Sequence, residues 1–144
     1  MGDFINAGIS EVLAASKIPI FSVWGNNDGD KVAIMKISLS KNSNLTMGEN
    51  VYDFLEFDGK KFFVSHFADL AKSMAKSGDF DVVVYGHNHN KNFDKVGNCV
   101  VINPGEISAH KTKIATFAVY DTKLDEVEFV KIDKSITLKT DEVD

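Results

Sequence analysis

The sequence predicts a mixed α/β fold in which two sheets pack together with helices outside. Three observations carry that prediction. The first part of the chain alternates helical with strand-like patterns, and the later part is rich in hairpin signals. No linker, internal repeat or low-complexity tract divides the 144 residues, so 1–144 reads as a single domain, long enough to bury a sizeable core unaided.

Taken in order, Ile5, Ile9, Val12 and Leu13 recur at helical spacing up to about Ser16. Residues 19–24 (Pro-Ile-Phe-Ser-Val-Trp) are a short apolar run of buried-strand character, stopped by the turn-forming Gly25-Asn26-Asn27-Asp28-Gly29. Residues 30–39 suit a helix with Asp30 as N-cap, a strand being the alternative, and 41–50 read as a polar loop. Residues 51–57 and 60–65 flank Asp58-Gly59, a two-residue hairpin signal. Residues 69–76 read as a helix with Leu70 and Met74 four apart and Gly78 as its C-terminal cap. Val82-Val83-Val84-Tyr85 is a buried strand. Residues 93–96 and 99–102 make a second hairpin about Gly97-Asn98, closed by a turn at Asn103-Pro104-Gly105, and 113–120 with 126–132 make a third. The last dozen residues are polar and read as a frayed end. Trp24, Phe54, Phe57, Phe62 and Phe63 read as core.

Composition narrows the function. A net charge of −5 and a pI near 5.3 offer no basic field for nucleic acid or a membrane surface. The positive charge is all lysine; with no arginine, a phosphate would have to be held by lysine, backbone N–H groups or metal ions. Cys99 is the single cysteine, which suits a reducing cytoplasm and excludes an intrachain disulfide. No segment approaches the length of a membrane span, and the N-terminus lacks the pattern of a signal peptide.

The chemistry gathers where apolar strands end. In an extended segment residues i and i+2 face one way, so His87 and His89, just beyond 82–85, can converge on one ion. Asn26 follows 19–24 and His66 follows 62–65 in the same manner. If these strands are parallel neighbours, nitrogen and oxygen donors meet at one rim, a set suited to Zn, Mn, Fe or Ni. Each residue alone has a plainer reading: Asn26 as a turn residue, His66 as a core or surface histidine, Asp3 as the N-cap of the first helix. His110 has no assigned role.

Gly2-Asp3, Gly25-Asn26-Asn27-Asp28, His66 and Gly86-His87-Asn88-His89, in this order, resemble the calcineurin-like metallophosphoesterase superfamily. The Ile102-Asn103-Pro104-Gly105 turn and the short length look like its small YfcE-type branch. The resemblance implies a four-layer α/β/β/α sandwich of two mixed sheets with flanking helices. It implies a pair of divalent metal ions, manganese first and Ni, Fe or Zn as alternatives. Asp3 would bridge them, Asn26, His66 and His87 would complete the second ion's shell, and His89 would bind the first. The implied activity is hydrolysis of a small phosphate ester, most simply a phosphodiester, by a metal-bound hydroxide.

Three departures from the family pattern shape that expectation. The family's opening strand carries Asp-x-His, and this sequence starts at Met1-Gly2-Asp3, so the first ion would have only Asp3 and His89. Without that central strand, neighbouring edges and a strip of core would be exposed, and poor stability, homo-oligomers or an altered sheet are expected. Asn27 stands on the substrate side where many members have a histidine able to protonate the leaving group; an amide cannot do this, so activated leaving groups are favoured. Phe67 and Ala68 follow His66 where the branch has glycine and often another histidine. The rival expectations are a scaffold or interaction module without turnover, as in the retromer subunit that resembles this family, or a mononuclear metal-binding remnant.

Overall fold

The computed structural model describes residues 1–133; apart from Asp133, the tail expected to fray falls outside the described residues. In chain order the elements are α1 (Ala7–Ala14), β1 (Ile20–Ser22), α2 (Lys31–Ser38), β2 (Leu45–Met47), β3 (Tyr52–Phe57), β4 (Lys60–Ser65), α3 (Ala68–Ser77), β5 (Val82–Tyr85), β6 (Asn92–Val96), β7 (Cys99–Asn103), β8 (Ala115–Asp121) and β9 (Glu126–Ile132).

A five-stranded mixed sheet, ordered β3-β4-β5-β7-β6, carries most of the core. Its three inner strands are parallel and its outer two antiparallel. β5 lies at the centre and is covered on both faces, which is why its sequence is continuously apolar rather than alternating. Phe63, Val83, Tyr85 and Val101 point to one face, where Ala71 and Ala75 of α3 pack. Val82, Val100 and Ile102 point to the other, against Ala118 and Tyr120 of β8 and Val127 of β9. α1 and α2 close a separate cluster of Ala14, Trp24, Ile34, Leu45 and Met47 over β1 and β2.

The mixed α/β fold with flanking helices is as expected, but the second sheet differs from a single mixed sheet. It consists of a parallel pair, β1–β2, and an antiparallel pair, β8–β9, and no described strand joins them. β1 is therefore not a neighbour of β4 or β5. The sheets are stitched instead by residues 50 and 51: the Asn50 carbonyl accepts from Trp24 N–H at 3.0 Å and the Val51 carbonyl from His66 N–H at 2.8 Å.

Local expectations fared unevenly. The Asp58-Gly59 turn has both residues at positive φ, 51° and 73°, as the two-residue hairpin demands. Gly78 caps α3 in the left-handed conformation, and Asp30 caps α2 by accepting from Ala33 N–H at 2.9 Å, so the helix prevails over the strand alternative there. Within the segment read as a loop lies β2, whose Leu45 and Met47 are buried; a three-residue strand is too short to show a period. In α1 the apolar spacing misassigned the buried face. Ile9 and Val12 are exposed, while Ser10 and Ala14 face inward and Ser10 donates to the Ala7 carbonyl at 2.6 Å. Phe54 and Phe57 are exposed on the edge strand β3, unlike Trp24 and Phe63.

The β8–β9 turn is fastened to the β3–β4 turn. Lys60 pairs with Asp125 at 2.8 Å, Tyr120 hydroxyl donates to the same carboxylate oxygen, and Thr122 hydroxyl donates to Asp58 at 2.7 Å. The hydrogen bond from Lys60, then that from Tyr120, holds the Asp125 carboxyl below its ordinary pKa. A depressed carboxylate contributes stability that is present above its unfolded pKa and lost as pH falls through the folded one. Replacing Asp125 by Asn is thus expected to narrow the difference in urea midpoint between neutral and acidic buffer; an unchanged difference would contradict this.

Candidate metal centre

Four segments meet beyond the ends of β1, β4 and β5: residues 1–4, the loop 25–28, the turn after β4 and the turn after β5. The meeting requires two glycines. A Cβ on Gly2 would overlap the Gly25 backbone, and one on Gly25 would overlap the Asp3 carboxylate and backbone N. Asp28, buried, binds the segments together by accepting from Gly25 N–H at 2.6 Å, Phe4 N–H at 2.5 Å and Asp3 N–H at 3.3 Å. Asp3 is not a helix cap; Asn6 fills that role by accepting from Ile9 N–H.

His66 is at the focus and is 2% exposed. The Ser65 hydroxyl accepts from Phe67 N–H at 3.1 Å, bending the chain immediately around it. Its Nδ1 lies 2.7 Å from the Met1 carbonyl, which can only accept, so Nδ1 carries a proton. In the neutral ring Nε2 then presents a lone pair. That atom is 2.8 Å from Asn26 Oδ1, 3.0 Å from His87 Nδ1 and 3.6 Å from Asp3 Oδ1. Acceptor groups thus gather round one spot, and three species satisfy it: a proton on His87 Nδ1 donated to Nε2, a second proton on the His66 ring, or a cation at the focus.

The donor set fits a cation. Two ligands at right angles on an ion with bonds of about 2.1 Å stand about 3.0 Å apart, close to the 2.8 and 3.0 Å seen around Nε2. A ligating histidine whose other nitrogen donates to a backbone carbonyl is the usual supporting arrangement. Among the described residues no three His, Cys, Asp or Glu side chains stand ready to hold an ion. The focus is two imidazoles and an amide oxygen, with the Asp3 carboxylate held slightly back by Asn27, whose N–H and side-chain amide donate to it at 2.9 and 3.1 Å.

The two histidines after β5 separate. His87 and His89 both have positive φ, 68° and 64°, and Asn88 N–H closes a tight turn on the Gly86 carbonyl at 2.9 Å. The extended geometry expected for them is therefore absent, and their rings take different partners. His87 turns to His66, whereas the His89 ring donates from Nδ1 to Glu106 Oε2 at 2.6 Å. Asp3 too has positive φ, 62°. Non-glycine residues in this region are strained and cluster at functional sites.

Against this geometry, the model of the calcineurin-like phosphoesterase superfamily domain matches residues 1–125. The chain belongs to the calcineurin-like phosphoesterase superfamily. It is 33% identical over 127 residues to the phosphodiesterase MJ0936 of Methanocaldococcus jannaschii, covering 85% of this chain and 74% of that protein. The solved structure of a novel archaeal phosphodiesterase superposes with a TM-score of 0.82 at 30% identity, over 91% of this chain and 79% of that one. Vacuolar protein sorting 29 from Cryptosporidium parvum shares the fold, with a TM-score of 0.60 at 15% identity over 91% and 77% of the two chains.

Two members of the site in this member of the superfamily escape the sequence reading. Asp28 reads as part of the Gly25-Asn26-Asn27-Asp28-Gly29 turn, and Glu106 carries no motif of its own. The rule that found His66 and His87, a polar residue just after an apolar strand, reaches Asn103 after 99–102 and not Glu106, which lies beyond the Asn103-Pro104-Gly105 turn. Glu106 is buried; burial pushes its carboxyl up, but hydrogen bonds from Thr112 N–H and hydroxyl, His89 and Lys111 N–H outweigh this and bring it to about 2.

If the glycine contact sets the position of Asp3, Gly25→Ala is expected to cost about 1–3 kcal/mol by overpacking and to reduce the rise in melting temperature that Mn2+ produces. Gly78→Ala, at a left-handed position with open space around it, is expected to lose stability while keeping the Mn2+ response. Equal Mn2+ responses in both variants and the parent would contradict the assignment.

Proposed function

We propose that this phosphoesterase is a metal-dependent phosphodiesterase acting on small phosphate esters. The observation that carries the reading is the convergence of Asn26, His87 and Asp3 on Nε2 of His66, in a chain a third identical to a phosphodiesterase. Asn26, His66 and His87 would hold one divalent ion, Asp3 would lie at its edge as the shared carboxylate, and His89 would serve a second. Bound there, divalent ions supply Lewis-acid polarisation of a phosphoryl oxygen and activation of water.

The chain's own groups do the rest. The Met1 carbonyl and Glu106 fix the rings of His66 and His89, and Asn27 holds Asp3 while its position faces the substrate. Asn27 cannot protonate a leaving group, so esters of acidic alcohols are the favoured class. With no arginine, the substrate phosphate would be held by metal and lysine rather than by a guanidinium fork. A cytoplasmic setting goes with the single cysteine, and no described helix is long and apolar enough to cross a membrane.

The test is hydrolysis of a nitrophenyl phosphodiester with added Mn2+. His87→Ala is expected to lose more than the roughly 10- to 100-fold that removal of an outer-shell partner costs; equal rates would sink the proposal. A second reading, an interaction module without turnover, draws on the exposed apolar side chains Val12, Val32 and Leu39 of the α1–α2 region. Absence of hydrolysis with every divalent cation tried would favour it.

A further inference from the structure

Among the described residues, Glu106 is the one buried carboxylate that meets a candidate ligand histidine from outside the family motifs. Its two oxygens are used differently. Oε1 accepts from Lys111 N–H at 2.8 Å, Thr112 N–H at 2.5 Å and Thr112 hydroxyl at 2.8 Å. Oε2 faces the Nδ1 of His89 at 2.6 Å, with Ser108 hydroxyl more distant at 3.4 Å. The backbone is fixed as well: Gly105 turns at φ 86°, and the Glu106 carbonyl accepts from Thr116 N–H of β8 at 2.8 Å.

We infer that Glu106 is a positioning residue that locks His89 in the Nδ1–H tautomer and so keeps its Nε2 lone pair free to bind a cation. An ionised carboxylate has no proton to give, so the imidazole must donate through Nδ1 and Nε2 is left as the ring's only acceptor. The strained backbone at His89 is compatible with this, since the ring is turned away from His87 and towards Glu106. The assignment deepens the metal-dependent reading above but stands on the proton position, which can be read with neither metal nor substrate.

The division of labour between the two oxygens makes one isosteric substitution informative. In Glu106→Gln the three donors that surround Oε1 select the amide oxygen for that position. The amide NH2 then faces His89 Nδ1 and can only donate, which drives the ring into the Nε2–H tautomer. The shape of the site is unchanged while the ligand nitrogen is blocked.

The experiment is long-range 15N–1H correlation spectroscopy on the 15N-histidine-labelled chain, well above the ordinary pKa of histidine, with Zn2+ as a diamagnetic probe. The expected result is Nδ1–H with a lone pair on Nε2 for His89 in the parent protein, and the reverse in Glu106→Gln. On adding Zn2+, the His89 Nε2 resonance should shift in the parent and stay in place in the variant, whose Zn2+ affinity should fall about 10- to 100-fold. Nε2–H or a doubly protonated His89 in the parent would overturn the inference on its own, whether or not the variant folds. The same tautomer in both proteins, or the same Zn2+ response, would also overturn it. A parent with the expected tautomer and no phosphodiesterase activity would leave this inference standing and remove the functional proposal instead.

Discussion

The hydrogen bond from His66 Nδ1 to the Met1 carbonyl is the constraint on which the rest of the site depends. It joins the end of β4 to the first residues of the chain and, in the same stroke, places a proton on Nδ1 of a buried ring. Val51 fixes the His66 backbone, and Asp28 fixes residues 3 and 4 against Gly25, so neither partner can drift. Asn26 then arrives from a different sheet altogether, and His87 from the neighbouring parallel strand. A ring nitrogen ringed by an amide oxygen, a second imidazole and a carboxylate has the donor types of a cation-binding site.

Backbone strain runs through the same residues. Asp3, His87 and His89 all hold left-handed conformations that cost about 1 kcal/mol or more each. The cost is offset nearby by the buried β5 and β7, whose Val82, Val83, Val100, Val101 and Ile102 form a core that does not yield. The rigid parallel strands set the positions of the turns, and the turns aim the rings. This division matches the general placement of ligand sites beyond the carboxyl ends of parallel strands.

How much of this was legible in the sequence depends on range. Local signals worked: the apolar run of β5, the Asp58-Gly59 turn, the Gly78 cap and the order of the hairpins all read directly. The candidate residues Asp3, Asn26, His66 and His87 are brought together, although Asn26 comes from outside the sheet expected. What periodicity could not convey was where a turn sends a side chain. A two-residue alternation joins His87 to His89, but positive φ at both parts them, and nothing local pairs His89 with a glutamate that follows three turn-forming residues. The inward face of α1 was misread for a related reason. Its apolar spacing pointed to Ile9 and Val12, and packing chose the smaller Ser10 and Ala14, which admit a closer approach of α2.

The account stands on a cation at the focus of His66 Nε2, Asn26 and His87. Anomalous diffraction from crystals soaked in Mn2+ tests it most directly. The account predicts a peak within about 2.3 Å of His66 Nε2, Asn26 Oδ1 and a His87 ring nitrogen. Density for these three side chains in their present positions with no anomalous peak between them, in crystals that bind Mn2+ elsewhere, would contradict it.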